Sequence, residues 1–372
     1  MSSYPTTTTV RRQKLAIAKL NAENVRRYLR HLGITEQVLI HEQDYEQFLE
    51  EKGLKELGRG GEGTVYFLRG HVVKVANPEC APATLREIAH MLHLNRIVGG
   101  GGTMGERSRG DWPALLWVYT LSDGSLSIGM KPFDNGDEPG ATLYDRLNYG
   151  PPLDRARSLN LIRDLCHSLV HAHRNGIIHH DLKPANVYVP YDPHQKAVVF
   201  DLGQALWQQS SWGKHWLRHE HNSHYWYNGT YRYMQHIRRM GHLAAIAMST
   251  GAEPTDAQKT AFNTYTPTYY DDVFAYAKII RDFVRSRKVI MNQHDRAVLY
   301  HFYARLMGLI RKQHKPTERK DHSIIAKLSS VFRAQSHETQ AVPVKLEQRW
   351  ATMDLVMADA DKIIGDLLAA KP

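Results

Sequence analysis

Only two cysteines, Cys80 and Cys166, stand in a chain of 372 residues. That number excludes a disulfide framework, and neither cysteine lies in a metal-ligand spacing. Both are expected to be reduced, half-buried thiols. No uninterrupted apolar run approaches the roughly 20 residues that a membrane-spanning helix needs, so no membrane span is expected. The N-terminal stretch M-S-S-Y-P-T-T-T-T-V-R-R lacks the apolar segment of a secretory signal. Reduced thiols and no leader together point to the cytoplasm, with delivery to another cell left open. No internal repeat is visible.

Acidic charge is also short. Lysine and arginine number 48 against 38 aspartate and glutamate, a formal net charge of +10. Such a balance can favour acidic partners, nucleic acid or anionic lipid, but the expectation is a soluble surface that happens to be basic, with an acidic protein substrate as the alternative. The basic residues are dispersed, without a long run or an RNA-binding signature, so nucleic acid is not an expected partner. What the chain has is enough apolar material, 42% of residues, for a large domain of two halves or for two domains.

Apolar positions Leu15, Ala18, Ala22, Val25, Leu29 and Leu32 trace one stripe of a helix. It is too short for a convincing coiled coil. A helix packed on the main domain is expected, the alternative being a weak homodimer through it; otherwise the chain reads as a monomer. Residues 36–52 read as a second, acidic helix. Short strands are predicted at Leu54–Leu57, Thr64–Leu68, His71–Ala76, Leu115–Tyr119 and Ser125–Met130, with a helix over Ala83–Ile97. This is a mostly antiparallel sheet with one helix. From about residue 141 the pattern is mainly helical. A long buried face through Leu159, Ile162, Leu165, Leu169 and His173 ends at Asn175-Gly176, a C-cap pair. Short strands follow at Val187–Val189 and Val198–Phe200, and helices resume at Asp272–Arg285.

Three motifs fall in a fixed order on this background. In Ile177–Val189, Asp181, Lys183 and Asn186 sit close enough to hold a hydroxyl acceptor, a transferring phosphate and a metal ion. Gly58-Arg59-Gly60-Gly61-Glu62-Gly63-Thr64-Val65 fits G-x-G-x-x-G-x-V, whose glycines let backbone N–H groups approach phosphate oxygens. A strand, not a helix, follows these glycines, which argues against a dinucleotide fingerprint. Lys74, in Val72-Val73-Lys74-Val75, is flanked by apolar β-branched residues and needs a carboxylate partner to stay charged. Glu87 on the next helix is the expected partner, ahead of Glu79. Taken singly, Asp181 could be a turn residue, Asn186 a loop cap and Asp201 a strand-end cap. Together and in order they indicate phosphotransfer.

The set G-x-G-x-x-G-x-V, V-V-K, H-H-D-L-K-P-A-N and D-L-G resembles the eukaryotic-type serine/threonine protein kinases over roughly residues 54–335. The resemblance implies an α+β fold of two lobes, a small antiparallel sheet with one main helix and a larger helical lobe, here with extra helices at both termini. It places a tail and helical extension at 1–52, a kinase-like domain at 53–335 (lobes 53–130 and 134–335), and a C-terminal helical extension at 336–372. It implies ATP and Mg²⁺, or Mn²⁺, as cofactors and transfer of the γ-phosphate to a protein hydroxyl, autophosphorylation included.

Residue by residue, Asp181 matches the aspartate that accepts the acceptor's proton. Lys183 matches the lysine on the γ-phosphate. Lys74 and Glu87 match the pair on the α/β phosphates. Asn186 and Asp201 match the metal ligands. Gly58, Gly60, Gly61, Gly63 and Val65 would cover the nucleotide, and the backbone of Met130 and Pro132 would meet adenine, with Val73 and Leu202 as apolar neighbours. Thr230, in Gly229-Thr230-Tyr231-Arg232-Tyr233-Met234, would help form the peptide floor. Asp272 would anchor the loop backbone. Small-molecule or lipid kinases of the same fold, and a pseudokinase scaffold, are the alternative readings.

Departures stand out as well. His180 replaces the arginine that usually meets a phosphorylated loop, which makes loop phosphorylation less essential here. Gln235-His236-Ile237 stands where A-P-E is usual, and Arg319 lacks the glutamate that such an arginine pairs with; a helical insertion at roughly 238–265 would brace instead. The segment between Gly203 and Gly229 carries Trp207, Trp212, Trp216 and Trp226 with His215, His219, His221 and His224. Tryptophans pinning an ordered loop are the expectation; a zinc site and a pH sensor are the alternatives.

Overall fold

The computed structural model describes residues 21–31, 39–52, 55–60, 62–68, 71–96, 112–131, 133, 140–207, 253, 255–256, 269–313 and 351–370. Its first half is a six-stranded sheet. The strands are β1 (Leu39–Gln43), β2 (Lys55–Gly60), β3 (Gly63–Leu68), β4 (His71–Ala76), β5 (Leu115–Leu121) and β6 (Leu126–Met130). Their order is β1-β5-β6-β4-β3-β2, with every pairing antiparallel except β1 on β5. Helices α1 (Ala22–His31), α2 (Tyr45–Lys52) and α3 (Ala81–Arg96) accompany it.

The stretch expected to be one acidic helix at 36–52 is a strand and a helix. Leu39 to Gln43 lie in register with Trp117 to Leu121 along β5, so the pairing satisfies an otherwise open sheet edge. Helix α1 ties down this added strand, since Arg26 Nη2 donates to the Ile40 carbonyl at 2.8 Å. Asp44 then caps α2: its Oδ1 accepts the N–H groups of Glu46 and Gln47 at 3.0 and 3.2 Å. α2 buries Phe48 completely, in a cluster with Val73, Val75 and Leu121. The sheet face opposite this cluster carries Val72 and Lys74, because successive strand residues alternate. On β6, Gly129 is required by packing, as a Cβ there would stand 2.0 Å from the Trp117 ring.

The second half is mainly helical. It contains β7 (Ala141–Thr142), α4 (Leu143–Asn148), α5 (Arg155–Arg174), β8 (Ile177–Ile178), β9 (Val187–Val189), β10 (Val198–Val199), β11 (Leu206–Trp207), α6 (Tyr269–Arg285), α7 (Gln293–Gln313) and α8 (Ala351–Ala369). Short strands form two small sheets, β10-β9-β7 and β11-β8. Asp154 starts α5 by accepting the Arg157 N–H at 2.7 Å. Asn175-Gly176 ends it, with Gly176 in the left-handed region at φ 74°. Leu159, Ile162, Leu165, Cys166 and Leu169 are fully buried, so the long apolar face is the core face. Tyr276 of α6 reaches into that core and donates to the Ile162 carbonyl at 2.9 Å.

Helix α8 packs along α5. Val356, Ala360 and Ile364 are buried there. Arg155, at the start of α5, grips Asp295 of α7 with two bonds of 2.7 and 2.9 Å and also donates to the Leu367 carbonyl of α8. One arginine thus joins three helices. Among the described residues no helix is long and apolar enough to cross a membrane.

Candidate active site

The site is built where the sheet meets the segment after β10. Lys74 lies on β4 between Val65 of β3 and Ile128 of β6. Its side chain is almost wholly buried, an environment that an ammonium tolerates only among carboxylates. Glu87 supplies the closest, with Oε2 at 2.7 Å from Lys74 Nζ. Glu62 Oε2 follows at 3.3 Å and Asp201 Oδ1 at 3.8 Å. Burial alone would drive the Lys74 ammonium down, but Glu87, Asp201 and Glu62 outweigh it and hold it above the usual lysine range. Burial pushes the Glu87 carboxyl up, and Lys74 opposes that push.

Helix α3 does more than present Glu87. Arg86 Nε donates to the Gly203 carbonyl at 3.2 Å. His90, one turn on, is bonded through Nδ1 to the Leu202 carbonyl at 3.2 Å. Since a carbonyl accepts, His90 Nδ1 carries the proton. Burial lowers the His90 pKa to about 3, so the ring is neutral. Leu202 is fully buried. Two hydrogen bonds from one helix therefore fix Leu202 and Gly203, the two residues after Asp201. Asp201 itself holds φ 65°, ψ 67°, a left-handed backbone uncommon for a non-glycine residue.

The loop after β8 forms the other side. Lys183 Nζ is 2.6 Å from Asp181 Oδ2. Asn186 Nδ2 donates to the Asp181 carbonyl at 3.0 Å and to Asp181 Oδ2 at 3.2 Å. Two hydrogen bonds stitch the two sides together: the Phe200 N–H donates to the Asn186 carbonyl at 3.0 Å, and the His179 side chain donates through Nε2 to the Phe200 carbonyl at 3.1 Å.

Asp272, at the start of α6, holds this loop from below. Its carboxylate accepts the N–H groups of His179 and His180 at 2.7 and 2.9 Å, and meets His173 Nε2 at 2.8 Å. This grip holds His180 at φ 64°. Asp272 is 1% exposed, so it acts on the backbone rather than on a ligand.

Sequence-predicted residues fall as follows. Lys74, Glu87 and Asp201 form one charge cluster, and Asp181, Lys183 and Asn186 form the adjoining loop. Gly58, Gly60 and Gly63 lie on the β2–β3 hairpin, and a Cβ on Gly58 or Gly60 would meet nothing within 4 Å. Val65 stands in register with both Gly58 and Lys74. Met130 is buried at the end of β6. Gly61, Pro132 and Thr230 lie outside the described residues, as do His215, His219, His221 and His224, Trp212, Trp216 and Trp226, Gln235-His236-Ile237 and Arg319. Val73, expected beside the nucleotide, instead packs against Phe48 on the opposite sheet face. Strand alternation gives its place to Val72, which shares the Lys74 face. Sequence reasoning also missed Glu62, Arg86, His90 and His179.

The donor set suits a hard divalent cation. Asp201 Oδ1 is buried and has no hydrogen-bond partner. The Asn186 amide nitrogen is committed to Asp181, which leaves its oxygen as the atom to offer a cation. Among the described residues no group of three or more His, Cys, Asp or Glu forms a protein-only metal cage. A cation held by these two side chains alone would draw the rest of its shell from ligand oxygens and water, as Mg²⁺ does.

No protein-family model matches the chain. Similarity to individual proteins is clear. The chain is 32% identical over 157 residues to the serine/threonine-protein kinase PknB of Mycobacterium tuberculosis (strain ATCC 25618 / H37Rv), covering 40% of this chain and 24% of that protein. It is 31% identical over 98 residues to the serine/threonine-protein kinase PrkC of Bacillus subtilis (strain 168), or 26% and 14% of the two chains. It is 28% identical over 164 residues to PknD of Mycobacterium tuberculosis (strain CDC 1551 / Oshkosh), or 43% and 23%. The matches thus span about a quarter or less of these relatives' length. The resemblance read from the motifs is thus matched, over these segments, by similarity to bacterial serine/threonine-protein kinases.

Proposed function

We propose that this chain is an ATP- and Mg²⁺-dependent serine/threonine protein kinase that transfers the γ-phosphate to a protein hydroxyl and phosphorylates itself. The observation that carries this reading is the Lys74–Glu87 pair at 2.7 Å with Asp201 3.8 Å from the same ammonium. A phosphate-binding cation and a metal-binding carboxylate are then neighbours, as phosphoryl transfer requires.

In this reading residues 53–130, which carry five of the six strands of the sheet, and residues 134–335 are the two lobes, joined near Met130 and Pro132, whose backbone meets adenine. Residues 1–52 and 336–372 are the flanking extensions. Backbone N–H groups of Gly58, Gly60, Gly61 and Gly63 cover the phosphates, and Val65 closes on the nucleotide. Lys74, steered by Glu87, binds the α/β phosphates. Asp201 and Asn186 hold Mg²⁺, which when bound neutralises charge between the phosphates. Asp181 orients the acceptor hydroxyl and takes its proton. Lys183, held beside it, meets the γ-phosphate. Thr230 supports the acceptor peptide.

Arg86 and His90 hold the Asp201 segment against α3, the helix that also carries Glu87, the partner of Lys74. The test is incubation with γ-labelled ATP and Mg²⁺, with and without a generic basic protein, beside an Asp201→Ala control. Label on serine or threonine that depends on Asp201 supports the reading. Turnover confined to a small metabolite contradicts a protein acceptor, and no turnover at all contradicts the enzyme.

A further inference from the structure

The acidic residue inside the glycine hairpin has no part in the scheme above. Glu62 sits between β2 and β3, and its backbone is fixed: the Asn77 N–H donates to its carbonyl at 2.9 Å. Gly63 draws the hairpin this close. At φ 154° a Cβ on it would stand 2.2 Å from the Val75 carbonyl oxygen and 2.7 Å from Ala76 Cα, so only glycine fits. With the backbone held, the Glu62 side chain turns inward and is only 18% exposed. One oxygen lies 3.3 Å from Lys74 Nζ, and the other accepts from Gln204 Nε2 at 3.5 Å. The first also lies 3.3 Å from where a Cβ on Gly203 would be, and Asp201 Oδ1 lies 3.6 Å from that same point. Lys74 thus faces three carboxylates with one positive charge.

We infer that Glu62 is a specificity-determining residue of the phosphate site, one that makes the site select metal-loaded nucleotide over bare nucleotide. The inference rests on the nucleotide-site reading above. A bare triphosphate reaching Lys74 must displace Glu62 and then remain beside its charge and that of Asp201. A metal-loaded triphosphate brings a divalent cation that neutralises the same carboxylates as the Lys74 contact is exchanged. The penalty therefore falls on the bare form.

The experiment measures the affinity of the protein for ATP with Mg²⁺ and for ATP with a chelator, and for adenosine as a neutral control, in the native chain, Glu62→Gln and Glu62→Ala. Both variants should bind bare ATP about tenfold tighter, the loss of one unfavourable charged contact. Adenosine affinity should not change, which also reports that the variants are folded. The preference for metal-loaded ATP should fall accordingly. An unchanged preference in both variants, with adenosine and ATP still bound, overturns the role of Glu62 alone. Failure of every protein to bind ATP or adenosine overturns that role and the kinase reading together.

Discussion

Removing one partner of the Lys74–Glu87 pair should be asymmetric, and the asymmetry follows from who else is nearby. At 2.7 Å, with an effective dielectric of about 20, the pair's direct attraction is about 6 kcal/mol. Most of this offsets the desolvation of two side chains that remain only 11% and 4% exposed. In Lys74→Met, Glu87 is left buried with no cation, at a cost of about 3–5 kcal/mol. In Glu87→Gln, Lys74 keeps Glu62 at 3.3 Å and Asp201 at 3.8 Å, so the cost is smaller, about 1–3 kcal/mol. The double variant should fall short of the sum by about 2 kcal/mol, the range of coupling for contacting residues. Urea denaturation of the four proteins at one pH and salt concentration gives each term. Additivity within about 0.5 kcal/mol, or a larger loss in Glu87→Gln than in Lys74→Met, would refute the charge cluster as described.

Two further outcomes follow, one from a residue beside the site and one from the three-helix junction. His90 is buried with its pKa lowered from 6.5 to about 3, so in that window the unfolded chain takes up a proton that the folded one refuses. Its contribution is intact above pH 6.5 and is lost as pH falls, by up to about 1.4 kcal/mol per pH unit. His90→Leu should flatten the acid limb of a stability–pH curve, although it weakens the hold on Leu202; an unchanged slope contradicts the buried neutral imidazole. Arg155→Ala should cost about 3–5 kcal/mol, because Asp295 is fully buried and would lose its partner. Thermal melting checks this, and a loss below about 1 kcal/mol contradicts the three-helix junction.

Much of this was legible in the sequence because the relevant signals are local. Short strand-like runs marked β3 and β4, the apolar stripe marked α5, and Asn175-Gly176 marked its end. The spacing of Asp181, Lys183 and Asn186 fixed their proximity, since a loop of six residues cannot part them far. The division of 36–52 was missed although its signal was present: Asp44-Tyr45-Glu46-Gln47 has the form of a helix N-terminus, with Asp44 as cap. What drew Leu39–Gln43 into the sheet was the open edge of β5, a long-range pairing that local pattern does not carry.

Val73 was placed on the wrong face for want of counting by two from Lys74. Glu62 was hidden by its setting, because a residue between glycines reads as solvent-facing. Its inward turn depends on the contact between Gly63 and Val75, which only the folded hairpin makes. The roles of Arg86 and His90 were likewise invisible, since each bonds to a carbonyl more than a hundred positions away.

The central claim is that Asp181 serves a phosphoryl transfer for which Lys74 and Asp201 position the nucleotide. The most direct measurement pairs two readouts on Asp181→Asn: ATP affinity in the presence of Mg²⁺, and the initial rate of γ-phosphate transfer to protein. The account predicts affinity within a few-fold of the native chain and a rate lower by about a thousandfold, the scale of lost general-base catalysis. Transfer at the native rate by Asp181→Asn, or ATP bound with no transfer by the native chain, would contradict it.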